Sequence, residues 1–371
     1  MVAKKEAVFN PWEVKGNVNY DKLVKQFGLS KINELPKEFN DNVLFRRKLI
    51  YAHRDLPKIL SCIKEKKNFA MMTGLMPTGK FHIGHMMVAQ QMIFWQNLGA
   101  KIYIAVADVE SYNARNLPLK EARETAINEY IKNYIALGLK PKNCYIYFQS
   151  NRSKDGNKAS AYYGLQNLLA RHGTFNEFKA VYGTISPGKM VASLLQASDM
   201  LHPQLPEFEN GCPVIVPVGI DQDPHLRLTR DLSKRIKEYK FNTLASTYHM
   251  FMPGLGGGKM SASDPSSYIA LTDSPKEAAR KISKYAFSGG QATLEEHRKK
   301  GGNPDIDVSF QYLKYYFEQD DHELQNIYDD YKSGKLLSGE LKKILIDKLK
   351  VFLEKHQEKY NKVDVNKFIE N

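Results

Sequence analysis

Residues 68–99 constrain the fold more than any other part of the sequence, because they join the pattern of a buried strand to that of a helix through a short turn. The apolar run of residues 68–75 is typical of a strand buried on both faces. The helical spacing of apolar residues after the turn ends at Gly99. The free backbone N–H groups and the dipole of a helix N-terminus favour anions. The sequence therefore predicts a strand–turn–helix unit that can bind a phosphate group.

The turn itself is Pro77-Thr78-Gly79-Lys80-Phe81-His82-Ile83-Gly84-His85. Its glycines let a ligand approach the backbone closely, and Gly84 leaves room for an adenine ring. His82 and His85 can each donate an N–H to phosphate oxygens, more strongly if they are charged. Alone, the match is also compatible with an ordinary helix start that carries two solvated histidines. The turn supplies four candidates for nucleotide binding: Pro77, Thr78, Gly79 and Gly84.

A second motif, Gly258-Lys259-Met260-Ser261-Ala262-Ser263, lies far from the turn in sequence, so a shared site has to be assembled by the fold. Together the motifs resemble the "HIGH" turn and the mobile "KMSKS" loop of class I aminoacyl-tRNA synthetases, although Ala262 replaces the second lysine. The resemblance implies that Lys259 stabilises the pyrophosphate leaving group of ATP and that Met260 contacts ATP. Phosphoryl chemistry needs positive charge and N–H donors at such places. The implied catalytic residues are His82, His85, Lys259, Ser261 and Ser263.

Composition limits the class of protein. With 371 residues, of which 42% are hydrophobic, the chain can form two or three domains with buried cores. The 54 Lys and Arg residues exceed the 41 Asp and Glu residues by 13, which suits a polyanionic partner. Three widely spaced cysteines argue against a disulfide framework and a structural zinc site. We expect a cytoplasmic protein with no signal peptide, no membrane span and no metal site made by protein side chains alone.

Alternating strand and helix patterns predict an α/β fold. Residues 101–107, 144–148 and 214–218 have the composition of buried parallel strands. We predict a Rossmann-like parallel-sheet catalytic domain over residues 66–270, with an insertion at about residues 151–189, and an all-helical C-terminal domain over residues 271–371. Residues 1–65 are predicted to form an N-terminal extension. This extension resembles that of archaeal and eukaryotic tryptophanyl-tRNA synthetases. We predict a helix at residues 45–60, whose basic residues form a solvated face. We assign no chemical role to the extension.

Residues 193–225 carry polar residues with the spacing of a binding site. Gln196 and Asp199 lie on the same face of a predicted helix, and Asp221, Gln222 and Asp223 follow a predicted strand. The string "IDQDP…TRD" resembles tryptophanyl-tRNA synthetases in particular, and the resemblance implies that Gln222 and Asp223 contact ATP. It also implies that the ammonium and carboxylate groups of tryptophan are held by Glu110, Gln196 and Gln222. Alternatively, the two aspartates only cap the following helix.

The indole N–H of a bound tryptophan needs an acceptor. The resemblance implies that eukaryotic tryptophanyl enzymes contact the indole N–H with a tyrosine and a glutamine at the positions of Met72 and Ala105. Neither of these two polar residues is present in this chain. Asp199 is the remaining candidate, because bacterial tryptophanyl enzymes carry an aspartate at the same helix position. We predict that Asp199 reads the indole N–H and that Met72 contacts the ring.

The sequence after residue 271 resembles the anticodon-binding domain of the same family, with Ala292 in place of a usual aspartate. The resemblance implies ATP as substrate with Mg²⁺ bound to it, L-tryptophan and tRNA(Trp) as the other substrates, and a homodimer whose interface is built by the insertion. Three alternatives remain at this point: a tyrosyl-tRNA synthetase, a nucleotidyltransferase that shares the first turn, and a non-catalytic RNA-binding paralogue.

Overall fold

The computed structural model describes residues 19–260 and 264–370, together with the backbone of two short antiparallel strands, β1 (Val8–Asn10) and β2 (Glu13–Lys15). Two of the predicted catalytic residues, Ser261 and Ser263, lie outside this range.

The centre of the molecule is one seven-stranded sheet with the strand order β3-β4-β9-β8-β5-β6-β7. Its strands are β3 (Ser30–Lys31), β4 (Ile50–Arg54), β5 (Ala70–Leu75), β6 (Lys101–Val106), β7 (Cys144–Phe148), β8 (Val214–Gly219) and β9 (Ala245–His249). Strands β5 to β9 are parallel, whereas β3 and β4 extend the sheet in antiparallel fashion. The predicted α/β class and parallel catalytic sheet are confirmed.

Helices cover both faces of the sheet. Those that precede residue 271 are α1 (Tyr20–Phe27), α2 (Val43–Arg46), α3 (Leu56–Lys64), α4 (Met86–Asn97), α5 (Asp108–Arg115), α6 (Leu119–Thr125), α7 (Lys132–Leu137), α8 (Gly156–Ala170), α9 (Phe175–Tyr182), α10 (Pro187–Leu201) and α11 (Asp223–Arg235). Those that follow are α12 (Pro275–Tyr285), α13 (Leu294–Lys300), α14 (Val308–Tyr312), α15 (Asp321–Lys332) and α16 (Ser338–Tyr360).

Side chains alternate between two cores along each strand. On β5, Ala70 and Met72 face the core formed with α8 to α11, whereas Met71 and Leu75 face the core shared with α4, α7 and the helices after residue 271. The C-terminal helices therefore share one continuous apolar core with this face of the sheet, and α16 packs against α7. Among the described residues, no helix combines the length and the apolar character that a membrane span requires.

The sheet opens between β5 and β8. These strands pair only at their first residues, Ala70 with Val214 and Met71 with Ile215, whereas β5 pairs with β6 along its whole length. The strand order reverses at the same point, since the chain builds β6 and β7 on one side of β5 and β8 and β9 on the other. Open α/β sheets bind ligands at the carboxyl ends of strands at such a point.

The predicted single helix at residues 45–60 is wrong: residues 45–46 end α2 and residues 56–60 begin α3, but the segment between them is not helical. Helix α2 ends at Arg46, and residues 50–54 form β4, which pairs with β9. The apolar residues of this short segment fit either structure, and the exposed pairing edge of β9 decides in favour of a strand.

The basic run in this segment is not a solvated face either. Arg46 and Arg47 each donate to the carboxylate of Asp321 at 2.7 Å and thereby join α2 to the C-terminal helices. Arg54 donates to both oxygens of the fully buried Asp223 at 3.1 Å, and Tyr248 donates to the same carboxylate. Residues 46–54 are thus a structural bridge between the sheet and the C-terminal helices.

Replacing Arg54 with methionine should leave the Asp223 carboxylate buried without a counter-charge, which costs roughly 3–5 kcal/mol of unfolding free energy. Urea denaturation measures this loss. Lys67→Met is the matched control, because Lys67 forms an exposed pair with Glu65 and its removal should leave the free energy of unfolding nearly unchanged. Equal, small effects of both changes would contradict a structural role for the buried pair.

Candidate active site

A π-helical segment between α6 and α7, Ala126–Ile131, makes hydrogen bonds to the turn after β5. The Tyr130 hydroxyl donates to the carbonyl of Thr78 at 2.7 Å, and the N–H of Phe81 donates to the Glu129 carboxylate at 3.4 Å. Gly79 adopts a φ of +66°, which a residue with a side chain tolerates poorly. π-Helical turns often occur at functional sites, and this one places two polar side chains against the turn.

The two histidines of the turn are stacked, with ring centroids 3.7 Å apart. The N–H of His82 donates to Nδ1 of His85 at 3.1 Å, so the proton of a neutral His85 ring is on Nε2. Burial lowers the pKa of His82 to about 4 and the pKa of His85 well below its usual value. Both rings are therefore neutral N–H donors near pH 7, and the charged form considered from the sequence does not apply.

The fold brings the two motifs together. Residues 269–271, which follow the lysine loop, pair with the turn through two backbone hydrogen bonds, from Ile83 N–H to the Ile269 carbonyl and from Leu271 N–H to the Phe81 carbonyl. Met260 lies directly over Gly84, since a Cβ atom at Gly84 would be 2.9 Å from the Met260 sulfur. The absence of a side chain at Gly84 thus lets the loop pack closely on the turn, since a Cβ atom here would displace the side chains of Met260 and His82.

Lys259 is exposed next to this contact, and its charge acts on Asp221 after β8. Burial raises the pKa of Asp221, while the positive charge of Lys259 and a hydrogen bond from Gln222 act in the opposite direction. Lys259, Asp221 and Gln222 therefore share one end of the opening between β5 and β8. The loop that carries Lys259 is closed at its base by the N–H of Gly254, which donates to the Gly258 carbonyl at 2.6 Å.

Glu110 lies in the first turn of α5, after β6. Burial, followed by the negative charge of Asp199, raises the pKa of Glu110 to about 7. The structure thus brings these two predicted tryptophan-binding carboxylates within electrostatic reach of each other. A protonated amine placed here would pair with Glu110 and favour its charged form.

Asp199 is fully buried on α10 and makes three hydrogen bonds. Its Oδ1 accepts from the hydroxyls of Tyr147 (2.8 Å) and Tyr162 (2.6 Å), and its Oδ2 accepts from the Gln149 amide (2.7 Å). Each carboxylate oxygen has two lone pairs, so one acceptor position remains on Oδ2. Burial raises the pKa of Asp199 to about 6 although all three hydrogen bonds oppose this shift.

The remaining predicted residues divide into two groups. Met72 is buried in the same core as Tyr147. The side-chain oxygen of Gln196 accepts a hydrogen bond from the Tyr182 hydroxyl at 3.3 Å, and this hydroxyl lies 2.9 Å from Nδ1 of His225. Met72 and Gln196 both line the side of the sheet that carries Asp199. The Asp223 carboxylate, by contrast, is taken up by Arg54 and Tyr248, and these contacts give no support to the predicted contact with ATP.

Sequence reasoning missed several residues of this arrangement: Glu129, Tyr130, Tyr147, Gln149 and Tyr162. One signal was available. Gln149 directly follows β7, and Asp108 follows β6 after one intervening residue. Polar residues at the carboxyl ends of parallel strands face the ligand crevice, so Gln149 could have been predicted on this ground. The tyrosines lie within a strand and within helices, where nothing local distinguishes them from core residues. Among residues 19–260 and 264–370, no group of three or more His, Cys, Asp or Glu side chains is placed to hold a metal ion.

Comparison with known proteins gives a consistent result along the whole chain. The family model of class I tRNA synthetases for W and Y matches residues 64–354. The tryptophan–tRNA ligase of Methanocaldococcus jannaschii is 43% identical over 355 residues, which cover 94% of both chains.

Solved structures agree with this match. The crystal structure of tryptophanyl-tRNA synthetase from Aeropyrum pernix superposes with a TM-score of 0.89 at 42% identity and covers 95% of this chain and 96% of that one. The tryptophan-bound enzyme from Encephalitozoon cuniculi gives a TM-score of 0.80 at 28% identity and covers 95% and 99% of the two chains. The chain therefore belongs to the class I tRNA synthetases for tryptophan and tyrosine, and within them to the tryptophan–tRNA ligase family.

Proposed function

We propose that this chain activates L-tryptophan with the Mg²⁺ complex of ATP and transfers the tryptophanyl group to tRNA(Trp). The observation that carries the proposal is the contact of the lysine loop with the histidine turn through Met260 and Gly84. In the first step, the carboxylate of tryptophan attacks the α-phosphorus of ATP, an acyl–phosphate bond forms and pyrophosphate leaves. In the second, a ribose hydroxyl of the tRNA attacks the activated carbonyl and AMP leaves.

The residues of the turn and loop are proposed to stabilise the negative charge that grows on the phosphates. His82 and His85 supply neutral N–H donors, and Lys259 supplies the positive charge at the leaving group. The relatives named above are tryptophan enzymes that match this chain over nearly its whole length, so the tyrosyl, nucleotidyltransferase and RNA-binding alternatives are not favoured.

Tryptophan is proposed to bind on the side of the sheet that carries Asp199. Glu110 pairs with its ammonium group, with Gln196 and Gln222 beside it. Met72 contacts the ring, and the open position on Asp199 Oδ2 accepts from the indole N–H. A tyrosine side chain would meet the same acceptor with a phenol, so the choice between the two amino acids rests on the shape of the pocket as well.

The proposal extends to partners and location. Exposed apolar side chains of the insertion and of the adjoining helix α10, namely Leu168, Phe175 and Val191, support a homodimer interface. The C-terminal helices are proposed to bind the anticodon. The three cysteines are unpaired and buried, which suits the reducing cytoplasm.

Replacement of Lys259 with alanine should lower the rate of tryptophan-dependent pyrophosphate exchange by about 10²-fold, because charge develops there only in the transition state. The KM for tryptophan should change little. Lys276→Ala, an exposed lysine on α12, is the control. Unchanged exchange in Lys259→Ala would rule out the proposed mechanism.

Replacement of Asp199 with asparagine should lower kcat/KM for tryptophan roughly ten- to a hundredfold, the effect of about 1.5–3 kcal/mol for a lost hydrogen bond to a charged acceptor. The two tyrosine hydroxyls require an oxygen at Oδ1, so the amide nitrogen is forced to the position of Oδ2 and faces the indole N–H as a second donor. The KM for ATP should hardly change, and Asp231→Asn on the surface of α11 serves as the control. Full activity in Asp199→Asn would exclude this assignment.

Lowering the pH through about 7 should reduce kcat/KM for tryptophan, since the pKa of Glu110 in the free enzyme is raised to about 7 and only its charged form pairs with the ammonium group. Asp199, with a pKa of about 6, titrates as a coupled partner. Glu110→Gln should therefore have lower kcat/KM at pH 8 and an acidic limb moved to lower pH. Glu121→Gln on α6 is the control, and a wild-type profile in Glu110→Gln would contradict the pairing.

A further inference from the structure

A buried arginine lies beside the side chains that hold Asp199. Arg152 is completely buried, and its guanidinium carbon is 4.1 Å from the centre of the Tyr147 ring and 4.6 Å from that of Phe208. A guanidinium stacks well on aromatic faces, so Arg152 fixes the ring of Tyr147 from one side. The hydroxyl of that ring donates to Asp199 Oδ1 at 2.8 Å.

The charge of Arg152 is balanced by Glu370. Nη1 of the arginine lies 2.7 Å from Glu370 Oε2, whose side chain is 15% exposed. A buried guanidinium without such a partner is strongly unfavourable, so the position of Arg152 depends on this carboxylate. Lys158 lies 3.3 Å from the other oxygen of Glu370 and holds it from the solvent side.

Arg152 also reaches the backbone of Asp199 through His202. Burial and the nearby guanidinium lower the pKa of His202 well below its usual value, so the ring is neutral. Its Nε2 accepts from Nε and Nη2 of Arg152 at 3.1 and 3.0 Å, and its Nδ1–H faces the carbonyls of Ser198 and Asp199. Two paths therefore lead from one guanidinium to Asp199, one through Tyr147 and one through His202.

Glu370 is brought to this point by backbone pairing at the edge of the sheet. The N–H of Ile146 on β7 donates to the Phe368 carbonyl at 3.1 Å, and the N–H of Glu370 donates to the Ile146 carbonyl at 2.7 Å. Strand β7 is an edge of the sheet, and this segment covers part of it.

We propose that Glu370, acting through Arg152, is a positioning residue for the tryptophan side chain: it fixes the direction of the Asp199 carboxylate and thereby the selection for an indole N–H. The inference rests on the proposed role of Asp199. It makes a segment after the C-terminal helices part of the specificity of the amino-acid site.

The test compares tryptophan with 3-(benzothiophen-3-yl)-L-alanine, in which sulfur replaces the indole N–H. Glu370→Gln removes the charge and keeps both the shape and the backbone pairing with β7. The ratio of kcat/KM values for tryptophan and the analogue, measured by pyrophosphate exchange, should fall roughly 2- to 30-fold, since residues that act through others change such preferences by about 0.5–2 kcal/mol. The KM for ATP should stay at the wild-type value.

Controls separate this role from a loss of stability. Glu358→Gln removes an exposed carboxylate paired with Lys362 and should leave the ratio unchanged. Arg152→Lys is the second variant, because an ammonium group cannot stack on Tyr147 and also reach both Glu370 and His202, and it should lower the ratio as Glu370→Gln does. Thermal unfolding of each variant is recorded in parallel.

Three outcomes decide. A lowered ratio in Glu370→Gln supports the inference. An unchanged ratio in Glu370→Gln and Arg152→Lys, while Asp199→Asn abolishes discrimination, overturns the inference and leaves the proposed function intact. A wild-type ratio in Asp199→Asn overturns both the reading of indole by Asp199 and the inference that depends on it.

Discussion

The binding cleft depends on the divergence of β5 and β8. These strands pair at Ala70 and Met71 and then separate, while β8 and β9 remain paired over five residues. The separation creates space exactly where the strand order reverses, and it lets the turn after β5 and the polar end of β8 face a common volume. Helix α10 packs across both strands on one face and carries Asp199 and Gln196 beneath that volume.

The same geometry explains why the histidine turn, the proposed phosphate-binding side of the cleft, carries neutral donors. The histidine turn is pinned by the strand-like pairing of residues 269–271 and by Tyr130, so its rings are buried and their pKa values fall. Neutral rings donate fixed N–H groups without the cost of keeping two charges in a buried site. In the proposed mechanism the positive charge comes from Lys259, which is exposed on its loop.

The sequence predicted what depends on local pattern and missed what depends on distant partners. Buried strands such as residues 144–148 and the histidine turn carry their own signals, and both lie where they were expected. The helix prediction for residues 45–60 was wrong because Ile50–Arg54 forms a strand by pairing with β9, which lies nearly two hundred residues later in the chain. The contact of Asp223 with ATP was implied by the resemblance alone, and its partner Arg54, which lies in that same misread segment, could not be foreseen. Arg152 gave no signal, since its balancing carboxylate comes from Glu370.

Asp223, Asp199 and Glu110 differ in how much hydrogen-bonding capacity remains for a ligand, and this difference supports the roles proposed for Asp199 and Glu110. Asp223 is neutralised by Arg54 and Tyr248 and is fully buried, so it has little to offer a substrate. Asp199 is held by three donors and keeps one acceptor position, which matches a single N–H. Glu110 is the carboxyl whose burial is least compensated, and its raised pKa marks a site that gains most from a bound cation. An amino acid with one ammonium group and one indole N–H fits this pair of unfilled acceptors.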